Sequence, residues 1–483
     1  MRILFATTEF EGLVKVGGLA DFSAGLGHAL ARAGEQLRVL LPYFGSVQGA
    51  GEAPVIAELP GGGCLRELRP RPRGLRIWLV DQPHWRARAG NPYTAPDGRG
   101  WPDDGPAFSA FSRLAAQLAG DRLGLGWRAD VVHANDWPTA LVPVWLMLER
   151  VPVASVFTIH NLAYQGLFPA SSGAGFGLPP WLFHPEALEY WGQWSYLKGG
   201  LVFADQLTTV SPSYAAEIRT PAFGEGLDGV LRARGPDLEG IVNGIEEDAW
   251  NPARDPALPA HFTAARPAGR TQCVRSLRAE LGLTVADDVP LAAFVGRVQP
   301  QKGIAELLAA LPQLLELPLA VAVLGSGDAT LEAGLRAAAA RYPGRCSVTL
   351  RYDDGLGRRL CAGSDLLLMP SRFEPCGLTQ LYAMRYGCIP VAHAVGGLRD
   401  TITDATPAAL GDGSATGVLY GSGTAAGLVG AVRRALSLRA DPERWRRLQQ
   451  AGMRGHHGWG PGAAAYQRIY DTAREKGTVP FFR

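Results

Sequence analysis

Strand-length apolar runs alternate with helix-like segments along nearly the whole of this 483-residue chain. The first half contains RILFAT (2–7), LRVLLPYF (37–44), LRIWLVD (75–81), DVVHAND (130–136), ASVFTIHN (154–161), QLTTVSP (206–212) and EGIVNGI (239–245). The second half contains PLAAFVGRV (290–298), LAVAVLGSG (319–327), SVTLRYDD (347–354), DLLLMPSRF (365–373), CIPVAHAVGG (388–397) and TGVLY (416–420). Apolar runs of this length, separated by helices, predict parallel sheets covered on both faces. Two such sets predict an α/β chain of two doubly wound domains. The expected division is 1–250, a hinge in the Pro/Ala-rich stretch 251–270, a second domain 271–460 and a C-terminal segment 461–483. Residues 61–74 and 85–105, rich in Gly, Pro and Arg, read as surface loops.

Composition excludes several classes of function. Hydrophobic residues are 47% of the chain, too many for a disordered protein. The 47 basic residues nearly balance the 45 acidic ones, so no broad electrostatic grip on nucleic acid or an anionic membrane is expected. No run of roughly 18 apolar residues predicts a membrane span. The opening MRILFATTEF runs straight into a strand, without the pattern of a secretory signal. Six scattered cysteines (64, 273, 346, 361, 376 and 388) lack any C-x-x-C pair. They read as thiols of a reducing compartment, so a cytoplasmic protein is expected. Only four basic residues are lysines: Lys15, Lys198, Lys302 and Lys476. Where arginine is the default cation, a remaining lysine marks a place where a compact ammonium matters.

In open α/β sheets, ligands bind outside the carboxyl ends of the strands. Lys15, Asp136, His160, Asn243, Arg297, Gly325 and Glu374 all fall there, from both halves, which predicts a site in a cleft between two domains. Lys15-Val16-Gly17-Gly18-Leu19-Ala20-Asp21 follows the first strand and enters a helix. Adjacent glycines admit a ligand to the backbone, and a helix N-terminus attracts phosphate. The same residues would also serve as an ordinary βα turn. Arg297 and Lys302, five residues apart on a turn, suit a diphosphate whose charge grows as its bond to a sugar breaks; otherwise they are a basic surface turn. Glu374, in SRFEPCGLT (371–379), can accept hydrogen bonds from sugar hydroxyls, or act as a capping acid. Backbone amides around Gly377 can meet anionic oxygens, and Cys376 reads as a packed thiol. His160 ends a strand before a polar-aromatic loop suited to a sugar ring, or is a satisfied structural histidine. His133 and Asp136 lack the companions of a metal site.

Taken together, the motifs resemble the bacterial glycogen synthases and plant starch synthases. The resemblance runs in order through KVGGLAD (15–21), DVVHANDW (130–137), FTIHNLAYQG (157–166), TTVSPSYAAEI (208–218), VNGIEEDAWNP (242–252), GRVQPQKG (296–303), LGSGD (324–328), SRFEPCGLTQLYAMRYG (371–387) and GGLRDT (396–401). It implies two facing Rossmann-like domains, the GT-B arrangement, and a C-terminal segment that returns to the first domain. It implies transfer of glucose from ADP-glucose to the non-reducing end of an α-1,4-glucan with retention, and neither metal nor pyridoxal phosphate. Lys15 would then contact the donor phosphates, with Gly17 and Gly18 in the same loop. Arg297 and Lys302 would neutralise the leaving diphosphate, Glu374 would hold glucose hydroxyls, and His160 would lie near the donor glucose. Asp21, Asp136 and Asn243 would shape the pocket. The segment Cys376, Gly377, Leu378 and Thr379 would face phosphate or sugar oxygens. Val395 replaces a threonine common in relatives, so one donor hydroxyl contact is lost.

A retaining hydrolase would place two carboxylates about 5–5.5 Å apart, and no such pair stands out in the sequence. The cation pair instead favours departure of the diphosphate through an oxocarbenium-like transition state. Three alternatives remain open at this level: a UDP-sugar enzyme on the same architecture, a pyridoxal-phosphate phosphorylase using Lys198, and a non-catalytic glucan-binding protein.

Overall fold

The computed structural model describes residues 1–48, 53–70 and 72–477. Met1–Gly244 and the chain from Trp459 onward form one compact unit, and Ile245–Gly458 form a second. The strands of the first unit are β1 (Arg2–Ala6), β2 (Gln36–Pro42), β3 (Val55–Glu58), β4 (Cys64–Leu68), β5 (Leu75–Asp81), β6 (Val131–Asn135), β7 (Ala154–Ile159), β8 (Leu167–Pro169), β9 (Glu189–Tyr190), β10 (Gln193–Ser195), β11 (Gln206–Thr209) and β12 (Leu238–Gly240). Nine of them form a sheet in the order β12-β11-β7-β6-β1-β2-β5-β4-β3. All pairings from β12 to β5 are parallel, and β4 and β3 add an antiparallel edge. Ile3, Leu4, Phe5 and Ala6 of the central β1 have no exposed surface. A strand covered on both faces needs an unbroken apolar run, which is what RILFA supplies.

The second unit contains β13 (Leu291–Val295), β14 (Ala320–Leu324), β15 (Cys346–Thr349), β16 (Leu366–Met369), β17 (Ile389–His393) and β18 (Val418–Tyr420). They form an all-parallel sheet in the order β15-β14-β13-β16-β17-β18. Helices Ile304–Leu314 and Ala425–Arg439 bury Leu307, Leu311, Leu428 and Val432 in the same core cluster as Val321 and Val391 of the sheet. Each unit is therefore a doubly wound α/β fold.

Two expectations are corrected. The stretch 61–74 is not a plain loop, since β4 lies within it (residue 71 falls outside the described residues). Its alternation is hidden because its charges are paired across strands. Arg66 donates to Asp81 of β5 at 2.6 Å. Glu67 is buried and accepts from Arg76 at 2.9 Å and from the Trp78 indole at 3.0 Å. A strand stabilised by cross-strand ion pairs looks polar in sequence. The 85–105 stretch is a loop for most of its length, fastened from inside by Arg88. That buried guanidinium pairs with Asp103 and Asp104, each at 2.7 Å, and donates to the Pro92 carbonyl.

The second correction concerns 251–270, expected as a hinge. The division falls earlier, after Gly244, and this stretch is folded into the second unit. Leu258 and Phe262 are buried in a cluster with Cys273, Met369 and Tyr386. Asp255 accepts hydrogen bonds from Arg358 at 3.0 Å and from the Tyr386 hydroxyl. Trp250 stacks on Tyr382 with ring centroids 3.6 Å apart, and the Arg358 guanidinium lies 4.0 Å from the Trp250 ring centroid. Proline and alanine suggest a tether, but the anchors between them decide the outcome. The final helix, Gly460–Gly477, belongs to the first unit, where Tyr470 bonds His133 of β6 at 2.8 Å; residues 478–483 of the expected C-terminal segment lie outside the described residues.

Asp255 is 2% exposed, so removing it strands part of the charge on Arg358. Asp255→Ala is expected to destabilise the second unit by about 3 kcal/mol, read as a lower midpoint in urea. A midpoint unchanged from wild type would show that 245–262 is not anchored this way.

Candidate functional site

In a doubly wound sheet, the connections after two adjacent parallel strands diverge at the point where the strand order reverses. That leaves an uncovered crevice at their carboxyl ends. The reversal lies between β1 and β6 in the first unit and between β13 and β16 in the second. The loops leaving these four strands carry most of the residues singled out in the sequence.

In the first unit, the loop after β1 closes on itself through a Phe10–Val14 bridge. Lys15 follows, then Gly17, then the helix Gly18–Arg32. The Lys15 ammonium pairs with Glu11 at 2.8 Å and Asp21 at 2.9 Å. Burial disfavours its charge, but the two carboxylates overcome this and hold its pKa above the ordinary lysine value. No side chain of Gly17 can cap the helix, so an outside group does so. Glu9 accepts the amides of Val16 at 2.7 Å and Gly17 at 2.8 Å on one carboxylate oxygen. The Gly17 amide is thus taken up by Glu9.

Asp136 follows β6 with φ 56° and ψ 179°, a region that costs a non-glycine residue about 1–3 kcal/mol. Its carboxylate accepts the amides of His160 at 2.8 Å and Asn161 at 3.4 Å, both just past β7. Burial pushes the Asp136 carboxyl up to about 7, against those two bonds. Asn135 joins three strand ends: its amide donates to the Ala6 carbonyl at 3.0 Å, and its oxygen lies 3.0 Å from His160 Nε2. That oxygen requires a proton on Nε2, which leaves Nδ1 of a neutral His160 as an acceptor. Burial lowers the His160 pKa to about 3, and Phe22 packs edge-on at 4.4 Å between ring centroids. Asn243 lies just past β12, buried, with no partner for its side-chain oxygen.

His133 is wholly structural. Nδ1 meets the Tyr470 hydroxyl at 2.8 Å and Nε2 meets Thr158 at 2.6 Å. Among the described residues, no group of three or more His, Cys, Asp or Glu is placed to hold a metal ion. Lys198 donates to the backbone carbonyls of Pro185 and Glu189, so its ammonium is a clamp for the excursion between β8 and β10.

In the second unit, Lys302 ends a short turn after β13, and Glu374 lies in the loop after β16. The two form an ion pair at 2.6 Å. Ser371 donates to the same Glu374 oxygen at 2.9 Å, and Glu374 is buried. The loops are pressed together at Gly303, which has φ 71°; a Cβ there would lie 1.9 Å from the Pro370 carbonyl oxygen. Gly325 does the same after β14, with φ 157° and a Cβ position 1.8 Å from the Gly296 oxygen. The L-G-S-G-D glycines thus serve loop packing around half-buried Arg297. Gln380 donates to the carbonyls of Cys376 at 3.1 Å and Gly377 at 3.0 Å, fixing the turn that leads to Leu378 and Thr379. Cys376 is buried, as a packed thiol should be.

Sequence reasoning missed Glu9 and Gln380, which hold backbone groups of Gly17, Cys376 and Gly377, and Asn135, which holds the His160 ring.

The chain matches two family models: the starch synthase catalytic domain over residues 2–233 and glycosyl transferases group 1 over residues 282–451. It is 47% identical over 476 residues to glycogen synthase 1 of Methylococcus capsulatus, covering 98% of this chain and 97% of that one. It is also 47% identical to the glycogen synthase of Thioalkalivibrio sulfidiphilus, covering 97% and 99%. Among solved structures, it is similar to the catalytic domain of starch synthase IV from Arabidopsis thaliana bound to ADP and acarbose. The TM-score is 0.88 at 32% identity, with 98% and 99% of the two chains covered. The sucrose-phosphate synthase of Thermosynechococcus elongatus, at 19% identity and TM-score 0.61 over 97% and 98%, shares the fold. Two family models that divide the chain as its two sheets do, and full-length relatives near half identity, identify it as a member of the bacterial glycogen synthase and starch synthase family, a hexosyltransferase of GT-B type.

Proposed function

We propose that the protein transfers glucose from ADP-glucose to the non-reducing 4-hydroxyl of an α-1,4-glucan, with retention, as a cytoplasmic enzyme needing neither metal nor pyridoxal phosphate. The observation that carries the reading is the Lys302–Glu374 pair at the β13/β16 crevice. A half-buried ammonium beside a buried carboxylate offers one group to a diphosphate and one to sugar hydroxyls. Arg297, from the same loop as Lys302, adds a second permanent cation. Their charges favour the departing ADP, because negative charge develops on its phosphate as the glycosidic bond breaks. Glucose acquires oxocarbenium character, and a phosphate oxygen takes the proton of the attacking 4-hydroxyl on the same face. Glu374 holds glucose hydroxyls, and neutral His160 offers Nδ1 as an acceptor. Lys15 meets the donor phosphates. The donor base rests on the family; UDP-glucose is the second reading. A Schiff base at Lys198 would forfeit donors to two backbone carbonyls, which weighs against a phosphorylase. Six free thiols support a reducing compartment.

The test is release of nucleoside diphosphate from ADP-glucose and UDP-glucose, side by side, with and without glycogen. Glycogen-dependent ADP release, unchanged by EDTA, is expected; release from UDP-glucose alone would replace the donor assignment. Lys302→Ala is expected to lower kcat by about 10²–10³-fold with a much smaller rise in donor KM, and a near-normal kcat would remove Lys302 from the chemistry. Asp136 sets a pH dependence of stability. Its folded pKa of about 7 lies above the ordinary 3.8, so its contribution is full below pH 4 and is lost as pH rises through 7. Asp136→Asn is expected to melt about 3 °C above wild type at pH 7.5, with the gap closing toward pH 4, and to lose activity. A gap independent of pH would contradict the burial of that charge.

A further inference from the structure

Glu9 is 4% exposed and stands directly after the central strand of the first unit. Nothing in its sequence context marks it, yet one of its carboxylate oxygens is bound wholly to the Lys15 loop. One oxygen accepts two successive amides, Val16 at 2.7 Å and Gly17 at 2.8 Å. The other accepts the Tyr93 hydroxyl at 3.0 Å, and that hydroxyl also meets Thr8 at 2.6 Å. Tyr93 belongs to the loop that Arg88 fastens through Asp103 and Asp104. Glu9 therefore ties the end of β1, the Lys15 loop and the Arg88 loop together. Burial disfavours the charge of this carboxylate, and the Val16 and Gly17 amides and the Tyr93 hydroxyl offset part of that cost. Gly17 itself is extended, and a Cβ there would meet nothing within 4 Å. Lys15 is held through its own pairs with Glu11 and Asp21, and Glu9 fixes the backbone amides beside it.

We propose that Glu9 is a positioning residue for the sugar-nucleotide donor: by holding the Val16 and Gly17 amides it presets Lys15 and the start of the following helix for the donor's diphosphate. Glu9 touches neither sugar nor phosphate in this role. Its effect is preorganisation, so its loss should appear in donor affinity before it appears in turnover. This rests on the donor reading above.

The experiment compares wild type, Glu9→Ala, Glu9→Gln and Tyr93→Phe. It measures KM for ADP-glucose, KM for glycogen, kcat, and the Kd for ADP by calorimetry. Glu9→Ala is expected to raise the donor KM and the ADP Kd about tenfold, with kcat within about threefold and glycogen KM unchanged. Glu9→Gln keeps an oxygen for the two amides and should recover most of the loss. Tyr93→Phe leaves those amide bonds in place and should shift donor KM no more than about twofold. If Glu9→Ala does not fold, the ordering of Glu9→Gln and Tyr93→Phe carries the test: Tyr93→Phe weakening ADP more than Glu9→Gln overturns the proposal. So does a Glu9→Ala protein with wild-type ADP Kd, or one that melts lower and loses kcat with donor KM unmoved. Wild type that binds ADP but releases none from ADP-glucose would reject the donor reading; the proposal then stands or falls on the ADP Kd values.

Discussion

Everything functional in each unit depends on one constraint of parallel sheets. Crossover connections are right-handed, so strands added on opposite sides of a central strand send their helices to opposite faces. At β1 and β6, and again at β13 and β16, neither connection covers the strand ends. Backbone and side-chain groups left there have no helix to satisfy them. In this protein those groups include Glu9, Lys15, Asp136, Lys302 and Glu374, and the bonds each makes within its own unit order the loops.

The lysines in the loops after β1 and β13 are treated alike. A partly buried ammonium without an anion is costly, and leaving it flexible would waste affinity. Lys15 is held by Glu11 and Asp21, and Lys302 by Glu374. The carboxylates keep each ammonium aimed. At Asp136 the opposite device operates: on a backbone at φ 56°, burial raises the energy of an ionised carboxylate that two amides hold in place. Local destabilisation of this kind is typical of places where chemistry, not folding, sets the residue.

The sheets were legible because a strand buried on both faces has to be written as an unbroken apolar run. Lys302 and Glu374 were legible because charged groups beside glycine and proline at strand ends have few structural uses. Glu9 and Gln380 were not, since they act on backbone amides and carbonyls, which carry no sequence of their own; Asn135 was not, since its partners, Ala6 and His160, end other strands. β4 was hidden by ion pairs that only its neighbours reveal. The 251–270 stretch misled for the converse reason: its composition suggests a tether, while Asp255, Leu258 and Phe262 are anchors whose partners lie roughly 100 residues further on.

The first unit is not finished until the end of the chain. Trp459 packs where Gly25 leaves no room for a side chain, with its indole nitrogen 1.9 Å from the position a Cβ would take. Tyr470 completes the hydrogen bonding of buried His133. During synthesis from the N-terminus, the nine-stranded sheet therefore emerges with part of one face bare, and the whole of Ile245–Gly458 is made before that face is covered. The domain translated first is the domain completed last. Its apolar surface exposed in that interval is prone to aggregation.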